Sequence, residues 1–341
     1  MKLNDATAVF FSVLALLAAS PYSSAAGKVI YGEDDRLEYY EVPENFKAAA
    51  DATASLWKKQ RVKLDYASGK YSLVTMNFGD IYNLCPEVKF REQPSGASCS
   101  GALVGEDLVL TAGHCIKSKA QCDDTSFVFG YSIGGPVENA RTQLSADEVY
   151  SCSEVIKRSL LSTTLTVDGE SWPTVYGQDI ALIKLDRKVT GRKPLAINRR
   201  GGIKKGDRLF AAGHPNGLPF KFSADGAVMV EVDPDSAYFV SNLDVFGGNS
   251  GGPVFNAQTG LIEGIVARSD PDHFIPSFLG CTVYNVRPQT AGFGTDVNKL
   301  DEVISEIPLT PGEAAAEAGI QSDLDALRGE VPLRNDLNIN F

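Results

Sequence analysis

The sequence predicts an all-β fold of short antiparallel strands closed by one C-terminal helix, and three observations carry that expectation. From about residue 71 to 295, short apolar or alternating runs are cut by Gly, Pro, Asn and Asp at regular intervals, the pattern of strands joined by turns. Helical stretches do not interleave these runs, so a βαβ sheet is excluded and a barrel or sandwich remains. The run "TDVNKLDEVISEI" (295–307) breaks the pattern: Val297, Leu300, Ile304 and Ile307 fall on one helical face, and Thr295 or Asp296 can cap its start. With 341 residues, 43% of them apolar, the chain can bury a large core in one big domain or two compact ones.

The N-terminus reads as a signal peptide. Lys2 supplies the basic start, "AVFFSVLALLAAS" (8–20) the apolar stretch, and "SAAG" (24–27) a cleavage site after Ala26. The apolar run is short for a membrane span, so the mature chain is expected to be exported, in the extracellular medium or periplasm, without stable membrane association. Residues 27–54 are acidic and polar and read as a propeptide or an N-terminal arm. The basic run "KKQRVK" (58–63) reads as a processing site or a solvated face. Strands follow: a strand, tight turn and strand in "GALVGEDLVLTAGHC" (101–115), then "DIALIKLDR" (179–187). A strand runs into a Gly/Pro turn in "DRLFAAGHPNGLP" (207–219), and "GLIEGIVAR" (260–268) is one more. Residues 308–341 are weakly patterned and read as a mobile tail with one short helix near Ser322.

Two bulk features narrow the function. A formal charge of −11 argues against a nucleic-acid partner, which would call for a basic field. Six cysteines (Cys85, Cys99, Cys115, Cys122, Cys152 and Cys281) are an even count in an exported chain and imply disulfides. They lack zinc-ligand spacing, so neither a structural metal nor an organic cofactor is expected.

The chemistry gathers at "FGGNSGGPVF" (246–255), where four glycines surround Ser250. A serine hydroxyl needs a base to take its proton and donors to hold the oxyanion that forms. Glycines let the backbone turn sharply, and the N–H groups of Gly248 and Ser250 are spaced to form such a hole. Of three histidines, His214 sits in a turn composition, "GHPNG", and His273 in a polar loop, "DPDHF". His114, ending a strand in "LTAGHC", is the base by elimination and context. Asp179, at the start of the alternating strand "DIALIKL", is the carboxylate placed to orient an imidazole and stabilise its charged form.

These three segments together resemble the chymotrypsin-like serine peptidases: "TAGHC", "DIALIKL" and "GNSGGP" stand in that family's order, His, Asp, Ser. The resemblance covers about residues 70–306. It implies two antiparallel six-stranded β-barrels, split near 190–195, with the active site in the cleft between them. It implies a domain over 55–306, between the N-terminal segments and a tail at 307–341, and a monomer acting on protein or peptide substrates. It also implies that Cys99 pairs with Cys115; the other four cysteines can pair in three ways. "NLCPEVKFREQPSGASCSGALV" (83–104), "RLFAAGHPNGLPFK" (208–221) and "NLDVFGGNSGGPVFN" (242–256) are similar to the bacterial glutamyl-endopeptidase-like branch, as is "VIYGEDDR" (29–36).

The resemblance also marks departures. Asn249 stands where trypsin-like enzymes carry the aspartate that binds a freed N-terminal amine, so any zymogen control works differently. Ala267 stands where a serine would support the catalytic aspartate, so Asp179 must find other partners. Asp244 lies at the offset of the residue that binds basic side chains, which leans the preference to Arg or Lys before the scissile bond. Val266 takes the place of the histidine that reads glutamate, and Arg268 can pair with an acidic substrate residue or neutralise Asp244. A glutamate-preferring endopeptidase and a silent secreted binding homologue are the alternatives.

Overall fold

The computed structural model describes residues 30–167, 170–269, 274–292 and 294–314, with the side chains of 162–176 outside that description. The signal segment, His273 and the stretch around Ser322 therefore lie outside the described residues.

The first half is a closed antiparallel barrel of six strands: β1 (Thr53–Lys58), β2 (Cys99–Leu103), β3 (Leu108–Thr111), β4 (Thr125–Phe129), β5 (Val149–Val167) and β6 (Glu170–Leu185). They close in the order β4-β5-β6-β3-β2-β1. Alternation puts Ala54, Leu56, Val109, Phe127, Phe129, Ala181 and Ile183 into one core. Trp57, on the other face of β1, packs against Tyr131 and Leu144, which is why β1 is buried from Thr53 to Trp57 without the usual polar alternation. This first strand straddles the boundary at 54/55 expected from sequence. β5 and β6 run well past the barrel rim as one long hairpin.

The second half contains β7 (Arg208–Gly213), β8 (Lys221–Ala227), β9 (Tyr238–Ser241), β10 (Pro253–Asn256), β11 (Ile262–Ser269) and β12 (Thr295–Asn298). Here the expected second six-stranded barrel needs correction. The strands form a seven-stranded sheet in the order β9-β12-β11-β10-β7-β8, ended by the short strand Leu37–Glu38. The reason lies on the free edge of β8. Leu37–Glu38 pairs with it at Lys221 and Phe222, leaving its far end to reach β9 through one bridge, Val228 to Ser241.

The expected C-terminal helix is also corrected. Thr295–Asn298 is the strand β12, paired on both sides with β9 and β11, and Val297 is buried in the second core. Within the span 295–307 the helical part is limited to a single 3-10 turn, Ile304–Glu306. The apolar spacing was real but served two environments: β-branched Thr295 and Val297 fill a gap between strands. Leu300, Val303 and Ile307 instead pack into the layer between the halves, with Leu110, Leu182, Phe210 and Phe255. The first residues of the tail are tied down, because Arg199 bonds the carbonyls of Ile307 and Pro308 and pairs with Glu313.

The N-terminal segment from Ile30 is built into the molecule. Ile30–Tyr31 pairs in parallel with Val286–Arg287. Arg36 is fully buried: it bonds both oxygens of Asp34 and lies 4.5 Å over the Phe246 ring and 4.6 Å over Tyr284. Buried Lys221 reaches back to Glu38 at 3.1 Å and Gln93 at 2.9 Å. The six cysteines form three disulfides, Cys85–Cys281, Cys99–Cys115 and Cys122–Cys152. Such a set belongs in an oxidising compartment. Among the described residues, no helix is long and apolar enough to cross a membrane.

Candidate active site

The site lies where the two halves meet. His114 follows β3 and Asp179 lies in β6, its register neighbour in the barrel. The imidazole Nδ1 is 2.7 Å from Asp179 Oδ2, and the His114 backbone N–H donates to Asp179 Oδ1 at 2.9 Å. One carboxylate thus fixes both the ring and the peptide carrying it. The carboxylate is buried, while the imidazole is one-third exposed (4% and 33%). That arrangement suits a base that must meet a substrate and a partner that must not. The tautomer with a proton on Nδ1 leaves Nε2 as the acceptor facing outward.

The partners of Asp179 come from the second half. Its N–H donates to Asn298 Oδ1 at 3.1 Å, and Asn298 Nδ2 donates to Gln178 Oε1 and the Ala237 carbonyl. Arg268 Nη1 lies 3.8 Å from Asp179 Oδ2, and its Nε bonds Asp296 Oδ2 at 3.1 Å. Arg268 therefore supports the carboxylate side of the site and does not neutralise Asp244. Val266 is wholly buried in the second core.

Ser250 sits in the turn between Phe246 and β10. Gly248 has φ +97°, and a Cβ there would lie 2.4 Å from the His214 carbonyl oxygen. Gly251 has φ +83°, and its Cβ would strike Thr111 Oγ1 and the Ser100 carbonyl. Both glycines are demanded twice, by backbone angle and by crowding. Among the described residues the N–H groups of Gly248 and Ser250 donate no hydrogen bond, whereas Asn249, Gly251 and Gly252 donate theirs internally. Asn249, where no ion pair was expected, uses its Oδ1 to accept the Phe246 N–H at 2.9 Å and so closes the turn. Ser250 Oγ makes no hydrogen bond to His114; the two are brought together through their backbones. Ser250's carbonyl accepts the Ser100 N–H at 2.9 Å, and Gly251 abuts Ala112, two residues before His114. The Gly113 carbonyl is held by Arg158 of β5 at 2.8 Å.

Asp244 is buried beneath the N-terminal segment. Its Oδ1 accepts the Tyr31 N–H at 2.7 Å, while Oδ2 has no partner. Burial is the dominant cause that pushes its carboxyl up to about 8. His214 is structural: it stacks on Tyr131 and its Nδ1 lies 3.1 Å from the Leu218 carbonyl, and burial drives its pKa down to about 3.

Sequence reasoning missed Ser100, Asn298 and the true place of Arg268. "CSG" at 99–101 held a faint signal for Ser100, a small polar residue beside a cysteine; "DVNKL" held none for Asn298.

Residues 99–265 match the family model of the trypsin-like peptidase domain. Over that stretch the chain is similar to trypsin-like peptidases. A probable serine protease of Lysobacter enzymogenes is 28% identical over 156 residues, which is 45% of this chain and 24% of that protein. The match thus spans about a quarter of the curated relative. Among solved structures, the chain is similar to Vibrio cholerae VesB protease (14% identity, 82% of this chain and 67% of that one, TM-score 0.46). It is also similar to a Glu endopeptidase solved with MPD (16%, 82% and 97%, TM-score 0.42) and to human heparin binding protein (14%, 76% and 91%, TM-score 0.43).

Proposed function

We propose that this chain is an exported serine endopeptidase that hydrolyses peptide bonds through an acyl-enzyme intermediate. The observation that carries the reading is the 2.7 Å pairing of His114 Nδ1 with the buried Asp179 carboxylate beside the glycine turn of Ser250. Ser250 Oγ attacks the carbonyl carbon, and its proton passes to His114 Nε2. The tetrahedral oxyanion is held by the N–H groups of Gly248 and Ser250. His114 then gives the proton to the leaving amine, and water repeats the cycle on the ester. Asp179 orients the ring and stabilises its charged form. Losing one oxyanion donor in such a site typically costs about 2.7–4 kcal/mol of transition-state stabilisation. Three disulfides support export into an oxidising compartment. A monomer and protein or peptide substrates complete the reading.

Fluorophosphonate labelling of the secreted protein, with the adduct located by mass spectrometry, tests it. The expected result is an adduct on Ser250 that disappears in Ser250→Ala. A folded secreted chain that never labels and never cleaves a peptide mixture would overturn the reading in favour of a silent binding homologue.

A further inference from the structure

The basic run 58–63 has no role in the chemistry above. It does not hang free as a processing site would. Lys58 ends β1, the 3-10 turn Lys59–Arg61 follows, and Val62 is buried. The Lys59 N–H bonds the Asp124 carbonyl and the Arg61 carbonyl accepts the Val74 N–H, each at 2.8 Å. This rigid corner forms one wall of an open groove of about 480 Å³, and the groove reaches Gly248 itself. Met76, Ile81 and Tyr82 line it too, at 51%, 38% and 37% exposure. Among the described residues, Lys58 and Arg61 have no ion-pair partner and no acidic residue lines the groove. In a chain of net charge −11, that is a local reversal of sign.

We propose that this groove is a substrate subsite that takes a polypeptide segment bearing an aspartate or glutamate beside an apolar residue. The inference rests on the peptidase reading for its occupant, since a groove continuous with the oxyanion glycine is where the substrate chain must pass. Lys58 and Arg61 meet the carboxylate, with the Arg61 guanidinium able to bind it through two N–H groups. Met76, Ile81 and Tyr82 cover the apolar neighbour. The acidic body repels an acidic peptide elsewhere, so selectivity is confined to this groove.

The test has two arms. In the first, fluorescent peptides carrying Asp or Glu, and their Asn or Gln counterparts, are titrated against Ser250→Ala protein by anisotropy. The acidic peptides are expected to bind about ten-fold tighter, from two partly exposed charge pairs. The difference should shrink with added salt, and vanish in Lys58→Glu/Arg61→Glu. Lys58→Gln/Arg61→Gln, checked for an unchanged melting temperature, guards against misfolding as the cause. Equal affinity for the two peptide sets, or a difference that survives both double variants, overturns the proposal. In the second arm, the active chain cleaves a peptide mixture and the cut sites are mapped. Acidic residues should be enriched near the cut in the wild type and depleted with the charge-reversed variant. Cleavage without enrichment sinks the subsite and leaves the peptidase reading standing. Charge-dependent binding by a chain that never labels or cleaves sinks the peptidase reading and leaves the groove as a peptide-binding site.

Discussion

Ser100 makes four hydrogen bonds around the turn that carries Ser250. Its N–H donates to the Ser250 carbonyl, its Oγ donates to the Gly248 carbonyl at 2.7 Å and accepts the His214 N–H at 2.9 Å, and its carbonyl accepts Thr111 Oγ1. It therefore pins the Gly248–Asn249 and Ser250–Gly251 peptides, which flank the peptide carrying the Ser250 N–H, one of the two proposed oxyanion donors. Ser100→Ala leaves a buried carbonyl and a buried N–H without partners, at a cost of about 1–3 kcal/mol each. The expected outcome is a kcat lowered by roughly ten-fold or more with KM nearly unchanged, because the loss falls on the transition state. Equal effects on kcat/KM and on melting temperature, with no change in kcat, would make Ser100 a purely structural residue. His114, Asp179 and Ser250 can be put forward from the sequence because each sits in a local pattern whose chemistry is readable within six residues. The roles of Ser100, Asn298 and Arg268 cannot. They come from contacts that cross 148, 119 and 28 residues of chain, to Gly248, Asp179 and Asp296.

At the scale of elements, the reading of strands held where strands alternate and failed where one segment serves two layers. β3, β6, β7 and β11 were legible from their apolar runs and flanking turns. β12 was not, because Val297, Leu300 and Ile307 share a helical spacing by coincidence of two separate burials. The seventh strand was also hidden, since "LE" at 37–38 carries no pattern of its own and exists only because β8 offers an edge. Another device invisible to spacing is the Cys85–Cys281 disulfide. It ties the helix Phe78–Tyr82 to the hairpin of Phe274–Pro276 and Thr282–Tyr284, over an aromatic cluster of Phe78, Tyr82, Phe274 and Tyr284. Cys85→Ser/Cys281→Ser is expected to lower stability by about 2–5 kcal/mol. Denaturant unfolding followed by tryptophan fluorescence reads the loss directly. A midpoint unchanged from wild type would mean that the cluster alone holds the hairpin.

For the whole molecule, the buried Asp244 carboxyl makes stability depend on pH. Folding raises its pKa from 3.8 to about 8, so the folded state holds a proton that the unfolded chain releases. Its contribution is full below about 3.8 and is lost as pH rises through about 8. The amide of Asp244→Asn cannot ionise, so the melting temperature of this variant should gain on wild type as pH is raised from weakly acidic to weakly alkaline. A gap that stays constant over that window would show that Asp244 is ionised in the folded protein. His214 acts with the opposite sign: with its folded pKa depressed to about 3, the stability it confers is lost as pH falls below about 6.5, and because wild type and Asp244→Asn share it, it cancels from the gap between them.

The strand Ile30–Tyr31 has a consequence in time. Tyr31 meets Asp244, 213 residues further on, and its hydroxyl accepts the Gly294 N–H across 263. The first described residues of the chain thus wait for nearly the last before they find their places. A polypeptide threaded outward from its N-terminus emerges with this segment unpaired, and the loop leading to Ser250 stays unlatched until the strand β12 has followed. The order of synthesis itself leaves the segment around Ser250 unlatched until residues 294–298 have joined it.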